Sequence, residues 1–241
     1  MSIWSTLLGG AAGFAMGGPL GALVGAVAGH VIDRPSDEEP VKDATKKVSF
    51  TIGVIVLGAK MAKADGAVTR DEIAAFREVF HVPPHEVKNV ARVFDRAKKE
   101  VTGFEPYARQ LGKLFKDNPA VLEDLLDALF HIAKADGSLH PAELAYLEAV
   151  ASIFGFDQAA FERIQAGHTT GSDSDPYLVL GMSRDASDEA LKTRYRQLVR
   201  ENHPDTLMAQ GLPQEFIDLA NEKVAAINDA YDSIQKHRGQ T

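Results

Sequence analysis

The sequence of 241 residues lacks several features that define whole classes of protein. It contains no cysteine, which excludes disulfides, thiolate metal sites and catalysis by a thiol, and this fits a reducing compartment. It also lacks an excess of positive charge, since the formal net charge is -8 at pH 7, so we expect no nucleic-acid partner. The glycine and histidine motifs of nucleotide-binding folds and metalloproteases are missing too. We therefore expect neither an enzyme nor a bound cofactor.

The dominant signal that is present is helical periodicity. Long segments carry apolar residues at helical spacing, and no segment shows the alternation of a convincing strand. The chain is also longer than one typical domain. The sequence therefore predicts an all-α protein. We expect a glycine-rich segment at 1–32, a linker at 33–45, a helical domain at 46–166, a second linker at 167–174 and a C-terminal domain at 175–241.

The glycine-rich segment has the properties of a membrane helix. It has no charged residue before position 30, and about 20 apolar residues suffice to span a bilayer core. Its glycines recur at every fourth position, which favours close packing of two membrane helices and a homodimer. They are Gly9, Gly13, Gly17, Gly21, Gly25 and Gly29. We predict a single span at about 4–32; the alternatives are a hairpin bent at Pro19, a secretory signal and a soluble loop.

Positive charge near the predicted span lies only on its C-terminal side. No lysine or arginine precedes the span, whereas Arg34, Lys42, Lys46 and Lys47 follow it. Because loops rich in Lys and Arg stay on the cytoplasmic side, we expect both soluble domains to face the cytoplasm.

The helical domain at 46–166 contains an internal repeat. Residues 62–66 read A-K-A-D-G, and the same five letters recur at 133–137. A glutamate follows in each copy, and an apolar stripe follows in turn, so each copy predicts a helix, a glycine turn and a second helix. Two such pairs are expected to pack as a pseudo-symmetric bundle.

The repeat contributes four acidic residues at equivalent positions: Asp65, Glu72, Asp136 and Glu143. If they converge, their oxygens would suit a hard cation such as Ca²⁺ or Mg²⁺. The other interpretation is local and is favoured: Thr69 and Glu72 form a capping box, and Glu143 is a first-turn acid after Pro141. The domain resembles the TerB-like (tellurite-resistance) family, whose mark is a repeated Asp-Gly followed by Glu. That resemblance implies a link to divalent cations.

The C-terminal domain carries three motifs in order. They are D-P-Y-L-V-L-G from 175, Y-R-Q-L-V-R-E-N-H-P-D from 195 and I-N-D-A-Y-D-S-I from 227. Along the helix that carries the second motif, Lys192, Arg196 and Arg200 recur at every fourth position, which places them on one helix face; we call them the basic stripe. These motifs resemble the J-domain family. The resemblance implies that the H-P-D loop (His203, Pro204 and Asp205) and the basic stripe bind a DnaK-type chaperone and promote its ATP hydrolysis.

The order of the three parts resembles the membrane-bound DnaJ-like co-chaperones of Gram-negative bacteria. This resemblance implies a co-chaperone of the bacterial inner membrane that acts on a client protein which the sequence does not identify. Two alternatives stay open. One is a cation-responsive scaffold that recruits a chaperone to a membrane client. The other is a hydrolase that uses His131 or His140.

Overall fold

The computed structural model describes residues 18–21, 39–64, 74, 87–99, 103–135, 137, 139–168 and 175–239. Within these ranges the long elements are helices and none is a strand, so the predicted all-α fold is confirmed. The first helical domain contains α1 (Glu39–Ala64), α2 (Val87–Lys99), α3 (Glu105–Leu114), α4 (Pro119–Ala133), α5 (Pro141–Phe154) and α6 (Gln158–Gly167). The second contains α7 (Pro176–Leu180), α8 (Asp188–Glu201), α9 (Pro204–Gln210), a 3₁₀ turn (Gln214–Phe216) and α10 (Ile217–Gly239).

Helix α1 is the centre of the first domain. Helices α2, α3, α4 and α5 all pack on it, and every residue from 48 to 62 is buried. The packing is close at Gly53, where a β-carbon would come within 2.7 Å of the Leu111 side chain. Apolar periodicity predicts that this helix begins near Lys46, but it begins at Glu39. Pro40 is tolerated there because the N–H groups in the first turn of a helix have no acceptor within the helix. The predicted linker is therefore partly helical.

Helix α5 begins as the sequence predicts. His140 is its N-cap and Pro141 its first residue, and the backbone N–H of His140 donates to Glu143 Oε2 at 2.9 Å. Upstream, Gly137 has a φ of +90°, a left-handed conformation that glycine adopts at little cost. The end of the second copy of the repeat is therefore built by a glycine turn and a capping acid.

In the second domain α8 and α10 form an antiparallel hairpin. The rings of Tyr195 and Tyr231 stack with centroids 4.3 Å apart, and the Tyr195 hydroxyl donates to Asn228 Oδ1 at 3.0 Å. At one end of the hairpin, Arg238 donates to Asp188 Oδ1 at 2.7 Å. The opposite end, where α8 stops and α9 begins, is thus left to present the H-P-D loop.

Of the predicted membrane segment, only residues 18–21 belong to the described part. Leu20 is fully buried in the core of the first domain, and its N–H donates to Gln110 Oε1 at 2.9 Å. Gly18, next to Pro19, has a φ of +60°, in the left-handed region. In the described ranges no helix is long and apolar enough to cross a membrane. We call the six glycines that recur at every fourth position the glycine strip. Of these six, only Gly21 is described, and it is buried.

Candidate functional site

The H-P-D loop joins α8 to α9. His203 is the N-cap of α9, and its Nδ1 accepts a hydrogen bond from the Asp205 N–H at 3.2 Å. Pro204 follows as the first helical residue, a position that suits its fixed φ. The side chains of His203 and Asp205 are 53% and 83% exposed. The loop is therefore held in shape by its own backbone while both polar side chains face solvent.

The basic stripe runs along α8 to this loop. Lys192, Arg196 and Arg200 are all exposed, as their spacing predicts. Beside the stripe lies an open depression of about 480 Å³ that includes His203 and Asp205 of the H-P-D loop. It is lined by Tyr195, Arg196, Val199, Arg200, His203, Asp205 and Thr206. The structure thus brings two of the three stripe residues and the loop together on one surface with an apolar floor.

A second group of charges lies where the two domains meet. The ammonium of Lys223, on α10, is 2.7 Å from Glu123 Oε1, 3.1 Å from Asp124 Oδ1 and 2.9 Å from Asp127 Oδ2. The three acids lie on α4 of the first domain and are almost fully buried. We call Lys223 and these three carboxylates the interdomain cluster. A buried lysine paired with three acids from another domain ties the two domains together.

Two side chains from α6 and its C-terminal end complete the surroundings. Arg163 donates through both terminal nitrogens to the carboxylate of Glu123. The Nε2 of His168 is 2.7 Å from Asp127 Oδ1. The cluster and these neighbours together contain three carboxylates and two permanent cations, Arg163 and Lys223, so one carboxylate is in excess.

The pKa values follow this imbalance. Burial, with the neighbouring acids Asp127 and Glu123, raises the pKa of Asp124 to about 7 against the attraction of Lys223. Burial would also raise the pKa of Asp127 and of Glu123. For these two groups, however, the charge of Lys223 and the hydrogen bonds of His168 and Arg163 outweigh burial and hold the pKa below its ordinary value. Of the three acids, Asp124 is thus the one that takes up a proton at the highest pH.

The predicted cation site is only partly within the described residues. Asp65, Glu72 and Asp136 lie outside them. Glu143 is described, is 2% exposed, and its carboxylate caps the start of α5. Among the described residues no group of three or more potential ligands is placed to hold a metal ion.

Sequence reasoning missed the interdomain cluster, although a signal for its acidic half was present. The segment 121–130 reads V-L-E-D-L-L-D-A-L-F, in which acids interrupt an otherwise apolar helix. Since acids are rarely buried without partners, this run could have predicted an ion-pair site. Nothing in the amino-acid sequence of α10 distinguishes Lys223 from its solvent-exposed neighbours, so its ion-pair partners could not have been predicted.

Three family models match the chain. The DnaJ domain matches residues 175–239, tellurite resistance protein TerB matches 51–166, and the co-chaperone DjlA transmembrane domain matches 1–59. The co-chaperone protein DjlA of Photobacterium profundum is 31% identical, over 98% of this chain and 99% of its own length. The DjlA protein of Coxiella burnetii is also 31% identical, over 80% of this chain and 78% of its own. No solved structure matches the chain.

Two findings define the class of protein to which the chain belongs. One is the exposed H-P-D loop at the end of an antiparallel helical hairpin, and the other is the match to the DnaJ domain. The chain is a J-domain co-chaperone, a regulator whose class of partner is a DnaK-type chaperone. It belongs to the DjlA family of co-chaperones, and it carries that family's membrane-anchoring and TerB domains as well as its J-domain. The family prediction is thereby confirmed, and the first and second helical domains are called the TerB domain and the J-domain below.

Proposed function

We propose that the J-domain docks on a DnaK-type chaperone through His203, Pro204, Asp205 and the basic stripe, and that this contact stimulates ATP hydrolysis by the partner. The observation that carries the proposal is the exposure of the loop and the stripe on one surface, next to a depression of about 480 Å³. The TerB domain packs on the J-domain against α7, the buried side of α9, the 3₁₀ turn and α10, and it shares a cavity with Arg200 and Thr206. Arg196, His203 and Asp205 do not line that cavity and are exposed. The proposed docking surface therefore stays accessible in the full chain.

The chemistry of this surface suits binding and not catalysis. The hydroxyls that line the depression are those of Tyr195 and Thr206. The Tyr195 hydroxyl donates to Asn228 Oδ1, and among the described residues neither hydroxyl is hydrogen-bonded to His203, as an activated nucleophile would be. The stripe places positive charge next to an apolar floor, an arrangement that steers an acidic partner surface and then buries apolar area. Catalytic power would thus reside in the partner, and this chain would change the rate by selecting a conformation of it.

His203→Gln tests the proposal in the full chain, purified in detergent. We expect it to abolish the stimulation of single-turnover ATP hydrolysis by a bacterial DnaK. The thermal unfolding temperature should stay unchanged, because a side chain that is half exposed contributes little packing energy. His237→Gln is the matched control, since His237 is an exposed histidine on α10 away from the loop, and it should stimulate like the parent. Equal stimulation by His203→Gln and the parent would refute the docking assignment.

The membrane arrangement is also a proposal. We place the N-terminal membrane segment in the bacterial inner membrane as a single pass, with the TerB domain and the J-domain in the cytoplasm. Two copies of the chain would pair through the glycine strip. The support is the one-sided lysine and arginine content after residue 33 and the four-residue glycine spacing. A hairpin bent at Gly18 and Pro19 is the competing arrangement, which the left-handed Gly18 supports.

The TerB domain has the second proposed role, the choice of client. In this role it would act as a scaffold, with or without a divalent cation at Asp65, Glu72, Asp136 and Glu143. The capping hydrogen bond made by Glu143 gives that residue a structural role that does not need a cation.

A further inference from the structure

The described residues form two hydrophobic cores, and the segment after the H-P-D loop belongs to the core of the other domain. The J-domain core consists of Ala166, Val179, Leu180, Leu191, Leu198, Ile227, Ala230 and Ile234. No member of it lies between positions 199 and 226. The buried apolar residues of that interval, Leu207, Leu212, Phe216 and Ala220, all belong to the core of the TerB domain. Their sequence resembles a J-domain, but their packing partners are in the TerB domain.

The apolar part of this contact is close. The ring of Phe216 meets Phe50 of α1 edge to face with centroids 4.7 Å apart, and Phe50 in turn contacts Phe115 at 6.3 Å. Gly211 ends α9 with a φ of +113°, and a β-carbon there would lie 3.3 Å from the Phe115 ring. The turn between α9 and α10 is thus pressed directly onto the TerB domain. A larger residue would separate the two surfaces.

The polar part lies about two helical turns further along the chain, on α10. There Lys223 reaches into the three carboxylates of α4, at 2.7 to 3.1 Å. Phe216 and Lys223 therefore fix the start of α10 to the TerB domain by two independent contacts. We call these two residues the anchor.

The loop itself is one helical turn from this contact. Helix α9 has seven residues, and Leu207 is its buried residue, four positions after His203. A helix this short is not stable by itself in water, because nucleation costs more than a few hydrogen bonds return. Its order, and with it the direction in which His203 and Asp205 point, therefore depends on packing against the TerB domain.

We propose that the anchor residues Phe216 and Lys223 are positioning residues for co-chaperone activity: they hold α9 and the H-P-D loop in the binding-competent geometry by docking the J-domain on the TerB domain. The inference rests on the docking function proposed above. It implies that a change in the TerB domain, such as client binding, reaches the chaperone through the start of α10. The C-terminal part of α10 and the part of α8 around Leu191 are held by the J-domain core and are outside this control. The last turns of α8 border a cavity that is shared with the TerB domain.

The test compares the full chain with Phe216→Ala, Lys223→Met and Lys223→Arg, with Lys236→Met as the matched control on an exposed turn of the same helix. Two quantities are measured: amide hydrogen exchange in 204–216 against exchange in α8, and stimulation of DnaK at increasing DnaK concentrations. We expect at least roughly tenfold faster exchange in 204–216 for Phe216→Ala and Lys223→Met, with α8 unchanged. The DnaK concentration for half-maximal stimulation should rise severalfold, since fewer molecules are competent to bind. Lys223→Arg should keep most of the parent's behaviour, because it keeps the charge.

Each outcome decides the inference. Unchanged exchange in 204–216 in both disruptive variants would overturn the anchoring, and faster exchange with the parent's concentration dependence would overturn its role in activity. If Phe216→Ala also loosens α8, it has unfolded the chain, and Lys223→Met with its arginine control decides alone. A parent that gives no stimulation would refute the proposed function, while the exchange measurement would still decide whether the TerB domain holds the loop.

Discussion

Asp124 offers a quantitative test of the interdomain cluster through pH. Burial raises its pKa from 3.8 to about 7 while it lies beside Lys223. Between these two values the docked form holds a proton that the undocked or unfolded chain has released. The contribution of Asp124 to the stability of docking is therefore fully present below about pH 4. It falls as pH rises from 4 towards 7 and is constant above pH 7. About three pKa units at 1.36 kcal/mol each set an upper limit of roughly 4 kcal/mol.

The perturbation is Asp124→Asn, which imitates the protonated acid at every pH. The oxygen of the new amide side chain can still accept the hydrogen bond from Lys223, so the variant should match the parent only at about pH 4 and below. At pH 5 it should already be more stable by roughly 1.5 kcal/mol if the whole pKa shift is expressed in docking. By pH 8 it should be more stable, by up to roughly 4 kcal/mol if the whole shift is expressed in docking. Asp127 and Glu123 have lowered pKa values, and their contributions are lost only as pH falls below about 4. They do not interfere between pH 5 and 8.

Because the chain contains no cysteine, introduced cysteines would be its only sites for labelling with thiol-reactive fluorophores. Single cysteines at the exposed positions Ala145 of α5 and Ala225 of α10 would carry a fluorophore pair that reports separation of the domains in urea. The undocking midpoint is measured from pH 5 to 8 in the parent and in Asp124→Asn. His131 and His168 also line the cavity beside the cluster, so the difference between the two proteins is the quantity of interest. Asp229→Asn, an exposed acid on α10, is the control. Parallel pH profiles for the parent and Asp124→Asn would refute the reasoning.

Three further outcomes are expected. Replacing both arginines of the basic stripe with glutamate should weaken stimulation of DnaK and flatten its dependence on ionic strength; an unchanged salt profile would mean that this face does not approach the partner. Asp65→Asn with Asp136→Asn should remove any rise in melting temperature caused by Ca²⁺ or Mg²⁺, and flat titrations of the parent would dispose of the cation site. Gly13, Gly17 and Gly21 replaced by isoleucine should reduce crosslinked dimer in native membranes while insertion persists; undiminished dimer would exclude the strip as the interface.

Much of the J-domain could be predicted because its determinants are local. Ser187 accepts a hydrogen bond from the Ala190 N–H at 3.2 Å, and Gly181 is left-handed after α7, as their positions at helix ends predict. The spacing of apolar residues after Pro213, in contrast, predicts a third helix that begins at Pro213 and buries Phe216 in the core of the J-domain itself. Helix α10 begins at Ile217, and Phe216 lies in a 3₁₀ turn that packs on the TerB domain. The periodicity of apolar residues predicts that a residue is buried, but it does not predict which residues it packs against.

What the sequence by itself determined is the kind of protein: helices and their caps, the order of its parts, the H-P-D loop and the exposed basic stripe. These depend on contacts between residues a few positions apart, which a sequence displays. Only the tertiary structure decided how the parts act together. It joined Lys223 to three acids far earlier in the chain and Phe216 to Phe50, and it gave Asp124 its raised pKa. Such contacts depend on how two domains pack, and burial, not spacing, then determines which charges are paired and which acid keeps its proton.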